Sequence, residues 1–291
     1  MDKNSKYLKF IDKASELVKS IPRYFSKYSN KIFCNHQKII LLVLKQKLRT
    51  TYRDLIEILK ISDIPLYIGL KRIPHHTTLV KFAKKIKPKL LDILLPYRKA
   101  KITGLDGTGF EVENKSMHYQ MRTERATYRR YIKLGVSADL DKQIILKQTI
   151  NKGPRNDQKD FMPLLKDIKT DCVCADKGYD SNEHHRFVIQ DLKAKSCIKV
   201  KEKFGKAGRS TIRKKVFKTF DESTYHQRSK VESIFSSIKR KYCSCLKART
   251  FSSQKKEVLC KLIAYNIDRL INFYLSLLRI SAQPIYLKAY I

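Results

Sequence analysis

The apolar pattern changes period near residue 101, and that change limits the folds open to the chain. Before it, apolar residues recur at helical spacing: Leu8, Ile11, Ala14, Leu17 and Val18 form one stripe, and "HQKIILLVLKQKL" reads as a helix buried nearly all round. Thr50 or Thr51 can cap the helix "YRDLIEILK", and Thr77 or Thr78 the helix after it. The turn-rich "ISDIPLYIGLKRIP" between them allows a helix-turn-helix with Lys81, Lys84, Lys85 and Lys87 along its second helix; an ordinary bundle with a solvated basic face stays open beside it.

After residue 101, "KITGLDGTGFEV" is a β-type run broken by glycines. "RYIKLGVSADL" and "KQIILKQTIN" follow as strands joined by a tight turn around Asp139 to Lys142. A helix with Phe161, Leu164, Leu165 and Ile168 on one face comes next, then strand "DCVCAD", helix "SNEHHRFVIQDLKA", strand "KSCIKVK", a basic loop over 202–215 and helix "YHQRSKVESIFSSIK". The order βββαβαβα predicts a mixed sheet with helices on its faces. The chain therefore divides into an all-helical N-terminal domain, 1–100, and an α/β domain, 101–291, closed by a long amphipathic helix.

Lysine and arginine number 63 against 27 acids, a formal net charge of +36. A polyanion is the partner such a surface suits, and compositional drift toward lysine is the plain alternative. No stretch reaches the roughly 18 uninterrupted apolar residues of a membrane span, and "MDKNSKYLKF" lacks the order of a secretory signal, so a cytoplasmic protein with no membrane partner is expected. Seven cysteines do not read as a disulfide framework. The pairs Cys172/Cys174 and Cys243/Cys245 are C-x-C without a histidine at finger spacing, so reduced, buried or half-buried thiols are expected rather than a zinc knuckle.

In the predicted sheet the first and fourth strands are parallel neighbours, which sets Asp106 and Asp176 side by side at their ends. Glu232 needs only its helix packed across that edge. At about 100° per residue, Tyr225, Arg228, Glu232 and Lys239 fall within a sector of roughly 60°, next to an apolar sector of Val231, Ile234, Phe235 and Ile238. Three converging carboxylates suit a pair of Mg²⁺ ions, which prefer hard oxygen ligands and can drive phosphodiester cleavage. Arg228 and Lys239 would then hold DNA phosphates, and Tyr225 a phosphate oxygen or a displaced base. Singly, each acid has a plainer reading: Glu232 as half of an i,i+4 ion pair and Asp106 as a turn residue. Asp180 reads as the N-cap of the helix "SNEHH".

Tyr225-x2-Arg228-x3-Glu232-x6-Lys239 resembles the Y-x2-R-x3-E-x6-K signature of prokaryotic insertion-sequence transposases of the DDE type, "ADKGYDS" the segment with their second aspartate and "GLDGTGF" the one with their first. The short interval from Asp176 to Glu232 leaves no room for a large inserted β domain. The likeness covers about residues 100 to 275. It implies a ribonuclease H-like core in which Asp106, Asp176 and Glu232 bind two Mg²⁺ or Mn²⁺ ions, cleave the ends of an element and join the freed 3′-hydroxyl to target DNA. It further implies double-stranded DNA as partner, with no small-molecule substrate, and a homodimer because two ends are handled together. In relatives the helical N-terminal region helps to recognise element ends and pair subunits. Some relatives stack a flipped base on tryptophan; this chain has none. Further DNA contacts are expected at Arg122, Arg125, Arg129 and Arg130, interleaved with Tyr119 and Tyr128, and at Lys206, Arg209 and Arg213 in the basic loop. A DNA-binding regulator without chemistry and a stand-alone metal-dependent nuclease are the competing functions.

Overall fold

The computed structural model describes residues 5–95, 97–112, 131–201 and 210–281. Six helices come first: α1 (Lys6–Val18), α2 (Asn35–Leu48), α3 (Tyr52–Lys60), the single turn α4 (Ile64–Tyr67), α5 (His76–Lys85) and α6 (Pro88–Asp92). Thr51 is the residue that caps α3: its hydroxyl accepts from the Asp54 amide while the Asp54 carboxylate accepts from the Thr51 amide. α5 starts two or three residues earlier than Thr77 or Thr78 suggests, with His75 at its N-cap. It stops at Ile86 because Pro88 disfavours helical backbone before it.

The sheet contains β1 (Lys99–Val112), β2 (Tyr131–Asp139), β3 (Ile144–Lys152), β4 (Lys169–Ala175), β5 (Lys195–Ile198) and the two-residue β6 (Cys245–Leu246). Its order is β3-β2-β1-β4-β5. β1 to β3 form an antiparallel meander, and β4 and β5 run parallel to β1. The expected mixed sheet and its ββ turn are both present; Asp139 fixes the turn by accepting from the amides of Asp141 and Lys142. Between the strands lie α7 (Gln158–Leu165), α8 (Asn182–Arg186) with a π-helical turn after it, α9 (Thr211–Lys218), α10 (Glu222–His226) and α11 (Ser229–Tyr242), and α12 (Phe251–Ser281) closes the described chain. Among the described residues no helix is long and apolar enough to cross a membrane.

Alternation along the strands divides two cores. Leu105, Val173, Ala175 and Ile198 face α7 and the turn after Asp176, packing on Phe161, Leu164 and Tyr179. The opposite face, with Phe110, Leu134 and Val136, packs on α11, α12 and the N-terminal helices in one continuous cluster. Residue 100 is thus a change of secondary structure but not a break in the core, because α12 lies against α1, α2 and α6 as well as the sheet. Asn266 of α12 also pairs with both backbone groups of Ile145 on edge strand β3, at 2.9 and 2.8 Å.

Gly104 sets the height of α11 over the sheet. A Cβ there would stand 2.5 Å from Leu140 Cδ2 and 2.7 Å from Val231 Cγ2, and Val231 precedes Glu232. Gly104→Val is therefore expected to destabilise the fold by about 1–3 kcal/mol by overpacking, measured by urea unfolding. A variant as stable as the parent would show that α11 is not seated through this contact.

Candidate active site

β1 carries two parallel neighbours along one edge. β4 pairs with it up to Leu105, opposite Ala175, and β6 takes over only at Glu111. In the gap between them the edge of β1 is open, and Asp106 and Asp176 are the next residues on each strand. Gly104 and Asp106 share the face toward α11, since successive side chains alternate. Asp176 leaves β4 on the same face, where its Oδ1 lies 3.4 Å from the Tyr225 hydroxyl. Contrary to expectation, Asp106 is not at the end of its strand, because β1 runs on to Val112 against β2; it lies mid-strand where the pairing with β4 stops, next in register to Asp176 just beyond β4.

Glu232 reaches this edge from the first turn of α11, and Arg228 joins it to Asp106. Arg228 Nη1 is 3.1 Å from Glu232 Oε1 and 3.9 Å from Asp106 Oδ2. Its guanidinium also lies 5.9 Å from the Tyr225 ring centroid, within cation–π range. Burial pulls the Arg228 pKa down, but Glu232, Tyr225, Asp106 and Asp176 outweigh it and hold the pKa above its ordinary value. Asp106 is the strained acid of the group. Burial raises its pKa, and neither the Gly107 amide, at 2.8 Å, nor Arg228 fully offsets that, with Glu232 and Asp157 adding repulsion.

Three further expectations need correction. The helix expected to run from Tyr225 to Lys239 is two helices: Asp221 caps α10 by accepting from the Thr224 amide, and the chain turns at Gln227 and Arg228 before α11 begins. Tyr225 reaches Asp176 from α10, so the continuous-helix arithmetic does not explain its position. Asp180 does not cap α8; Ser181 does, accepting from the His184 amide. Asp180 is instead buried, bonded to His185 Nε2 (2.9 Å), the Lys201 amide (2.8 Å) and Arg213. Burial alone would raise its pKa, and these three partners hold it below the usual carboxylate value. Arg213, expected on the basic loop facing DNA, stands on α9 with its Nη2 2.5 Å from Asp180 Oδ2.

The three carboxylates share the edge without closing into one group. Among the described residues, the set of potential metal ligands lying within 4.8 Å of one another is a different one, Cys172, Cys174 and Cys197. Arg228 stands between Asp106 and Glu232, where their mutual repulsion would otherwise be unrelieved. Lys239 projects from α11 with Nζ 5.9 Å from the Phe110 ring, farther along β1. Arg122, Arg125, Arg129, Arg130, Lys206 and Arg209 lie outside the described residues.

Two neighbours of the site escaped the sequence reading. Lys199 Nζ lies 5.9 Å from the Tyr225 ring, and only its place one residue beyond β5 hints at it. Asp157, paired with Lys133 at 2.7 Å, is 2.7 Å from where a Cβ on Gly107 would stand, so glycine at 107 leaves room for it.

A mixed sheet of order 3-2-1-4-5 flanked by helices is consistent with the ribonuclease H-like class, with one acid in the middle of β1, one just beyond β4 and one on α11 along the same edge. The model of the transposase DDE domain family matches residues 97–267, more than half of the chain, and the chain belongs to that family. No curated protein sequence matches it. Among solved structures it is similar to the cryo-EM structure of the piggyBac transposase synaptic complex with hairpin DNA, at 12% identity and a TM-score of 0.41, over 98% of this chain and 81% of that one.

Proposed function

We propose that this transposase cuts DNA at the ends of a mobile element and joins the freed 3′-hydroxyl to a target strand, with Asp106, Asp176 and Glu232 as ligands of two Mg²⁺ or Mn²⁺ ions. The observation that supports the reading is that these acids, from β1, the turn after β4 and α11, gather around Arg228 at the open edge of β1. The donor set fits such ions, since all three side chains offer hard carboxylate oxygens. When bound, such a pair would activate the attacking oxygen, of water or of a 3′-hydroxyl, and stabilise the leaving oxygen of the phosphodiester.

The chain's own residues supply the rest. Arg228 balances Asp106 and Glu232 in the free protein and turns to a DNA phosphate in the complex. The Tyr225 hydroxyl, now 3.4 Å from Asp176, donates to a phosphate oxygen at the cleaved end. Lys239 extends the phosphate track along α11, and the basic segments around Arg122 to Arg130 and Lys206 to Arg209 continue it. The N-terminal helices recognise element ends or pair subunits; Lys81, Lys84, Lys85 and Lys87 are all exposed there. Two copies act together, one for each end, in the cytoplasm where the DNA is.

The test is a labelled duplex carrying the inverted repeats that flank the gene, incubated with purified protein and Mg²⁺. End cleavage with strand joining supports the reading. Binding without cleavage makes the protein a regulator, and cleavage without joining makes it a nuclease. Arg228→Ala is expected to weaken end binding about tenfold, roughly 1.4 kcal/mol, and to flatten the salt dependence of affinity by about one phosphate contact. An unchanged affinity and slope would remove Arg228 from the DNA contact.

A further inference from the structure

Behind the carboxylate edge, on the same face of the sheet, three sulfurs converge from two strands. Cys174 of β4 stands opposite Cys197 of β5, and Cys172 is two residues back on β4. Their sulfurs all lie within 4.8 Å of one another. All three are free thiols and buried, Cys174 and Cys197 at 0% and 1% exposure. They point toward α10: Cys174 Sγ is 3.6 Å from the Thr224 carbonyl oxygen and Cys197 Sγ 3.4 Å from that of Asp221.

We propose that Cys172, Cys174 and Cys197 form a binding site for a soft, thiophilic metal ion, Zn²⁺ or Cu⁺. A single buried thiol packs as a small apolar group, and apolar residues could fill this volume equally well; three sulfurs with no side chain between them add a ligand set. Zinc–sulfur bonds of about 2.3 Å bring the sulfurs of one ion to roughly 4 Å apart, close to the spacing already present. Thiolate ligands select soft or borderline ions over Mg²⁺, so this site and the carboxylates take different metals. On binding, the three S–H bonds break, the sulfurs donate as thiolates and their protons pass to solvent, with no change of oxidation state. Three thiolates around Zn²⁺ leave one net negative charge, beside Lys195, whose Nζ is 3.5 Å from Asp221 Oδ2. The ion would clamp β4 and β5 under α10, the helix that carries Tyr225.

The full-length protein, stripped with chelator and kept reduced, is dialysed against Zn²⁺, against Cu⁺ under anaerobic conditions, or against Co²⁺ as a spectroscopic stand-in. Expected are uptake of one ion per chain by elemental analysis, thiolate-to-cobalt charge-transfer absorption, and a higher melting temperature with the preferred ion; the Zn²⁺ and Cu⁺ arms decide which it is. Cys197→Ser should lose more affinity than the ten- to hundredfold that outer-shell partners of a metal typically contribute, while melting like the parent without metal. A Cys243→Ser/Cys245→Ser double variant, at the other C-x-C pair, and Asp106→Asn should both keep the ion, which separates this site from the carboxylate reading. In the unaltered chain, the bound ion should shield cysteines 172, 174 and 197 from alkylation, read by mass spectrometry. No stoichiometric uptake of either ion, uptake unchanged in Cys197→Ser, or no shielding of the three cysteines would each overturn the proposal.

Discussion

Asp106→Asn, Asp176→Asn and Glu232→Gln are each expected to lower Mg²⁺-dependent end cleavage by about a thousandfold or more, equivalent to about 4 kcal/mol of transition-state stabilisation, while binding of the same duplex should stay within a few-fold. Each amide keeps the shape of the acid it replaces, so the sheet edge and α11 should remain in place and the loss falls on the charge that holds metal. Asp106→Asn has a second signature. Burial raises the Asp106 pKa above its ordinary 3.8, so its ionised form is penalised in the folded state. That penalty is present above the raised pKa and disappears as pH falls through it toward the unfolded value. Asp106→Asn should therefore melt above the parent near neutral pH, with the gap closing on acidification. The pair of results, activity lost and stability gained, is what a site residue held at a cost should show. Full cleavage in any of the three variants would strike that residue from the site, and an Asp106→Asn protein that melts lower at every pH would show that burial does not dominate there.

Much of this edge was legible from local pattern. Strand order alone makes β1 and β4 parallel neighbours, so the nearness of Asp106 and Asp176 needed no tertiary knowledge, whereas the continuation of β1 past Asp106 to Val112 was not read. Val231, Ile234, Phe235 and Ile238 likewise fixed which face of α11 packs and left Glu232 beside it. What stayed hidden was set by partners distant in sequence. The turn at Gln227 has no composition signal, because it depends on Asp221 starting a separate helix at Glu222. Asp180 carries the preference of a capping residue, and tertiary contacts override it: Arg213, His185 and the Lys201 amide are three donors that a cap would leave unused. Cys172 and Cys174 read from the sequence only as reduced, buried thiols, since Cys197 joins them only through the β4–β5 register. The continuity of the core across residue 100 was hidden for a related reason. The apolar surface of α12 is wide enough to serve both the sheet and the N-terminal helices, and periodicity within one segment cannot say how many partners share it.

That shared helix also carries the largest stability effect expected outside the site. Asp268 of α12 lies between Lys47 of α2, whose Nζ is 2.6 Å from both carboxylate oxygens, and Tyr242, whose hydroxyl is 2.6 Å from Oδ2. Side-chain exposure is 18% for Lys47 and 10% for Asp268, so removing one member strands a largely desolvated charge. Asp268→Ala should destabilise the protein by about 3–5 kcal/mol, read as a lower urea midpoint with little change in slope. Replacing both charges, Lys47→Met with Asp268→Leu, should recover most of that, because the cost lies in the unpaired ion more than in the pair's net attraction. Tyr242→Phe should cost less, about 1 kcal/mol, since it leaves the ion pair intact. The effect should also reach the catalytic edge, because Tyr242 is the last residue of α11 and Glu232 sits near its start. With the far end of α11 loosened, Asp268→Ala should cleave more slowly even at temperatures where it remains folded, and the double replacement should restore folding without fully restoring the rate, as Tyr242 still lacks its carboxylate acceptor. An Asp268→Ala variant as stable and as active as the parent would show that this contact neither joins the N-terminal helices to the sheet nor anchors the helix that carries Glu232.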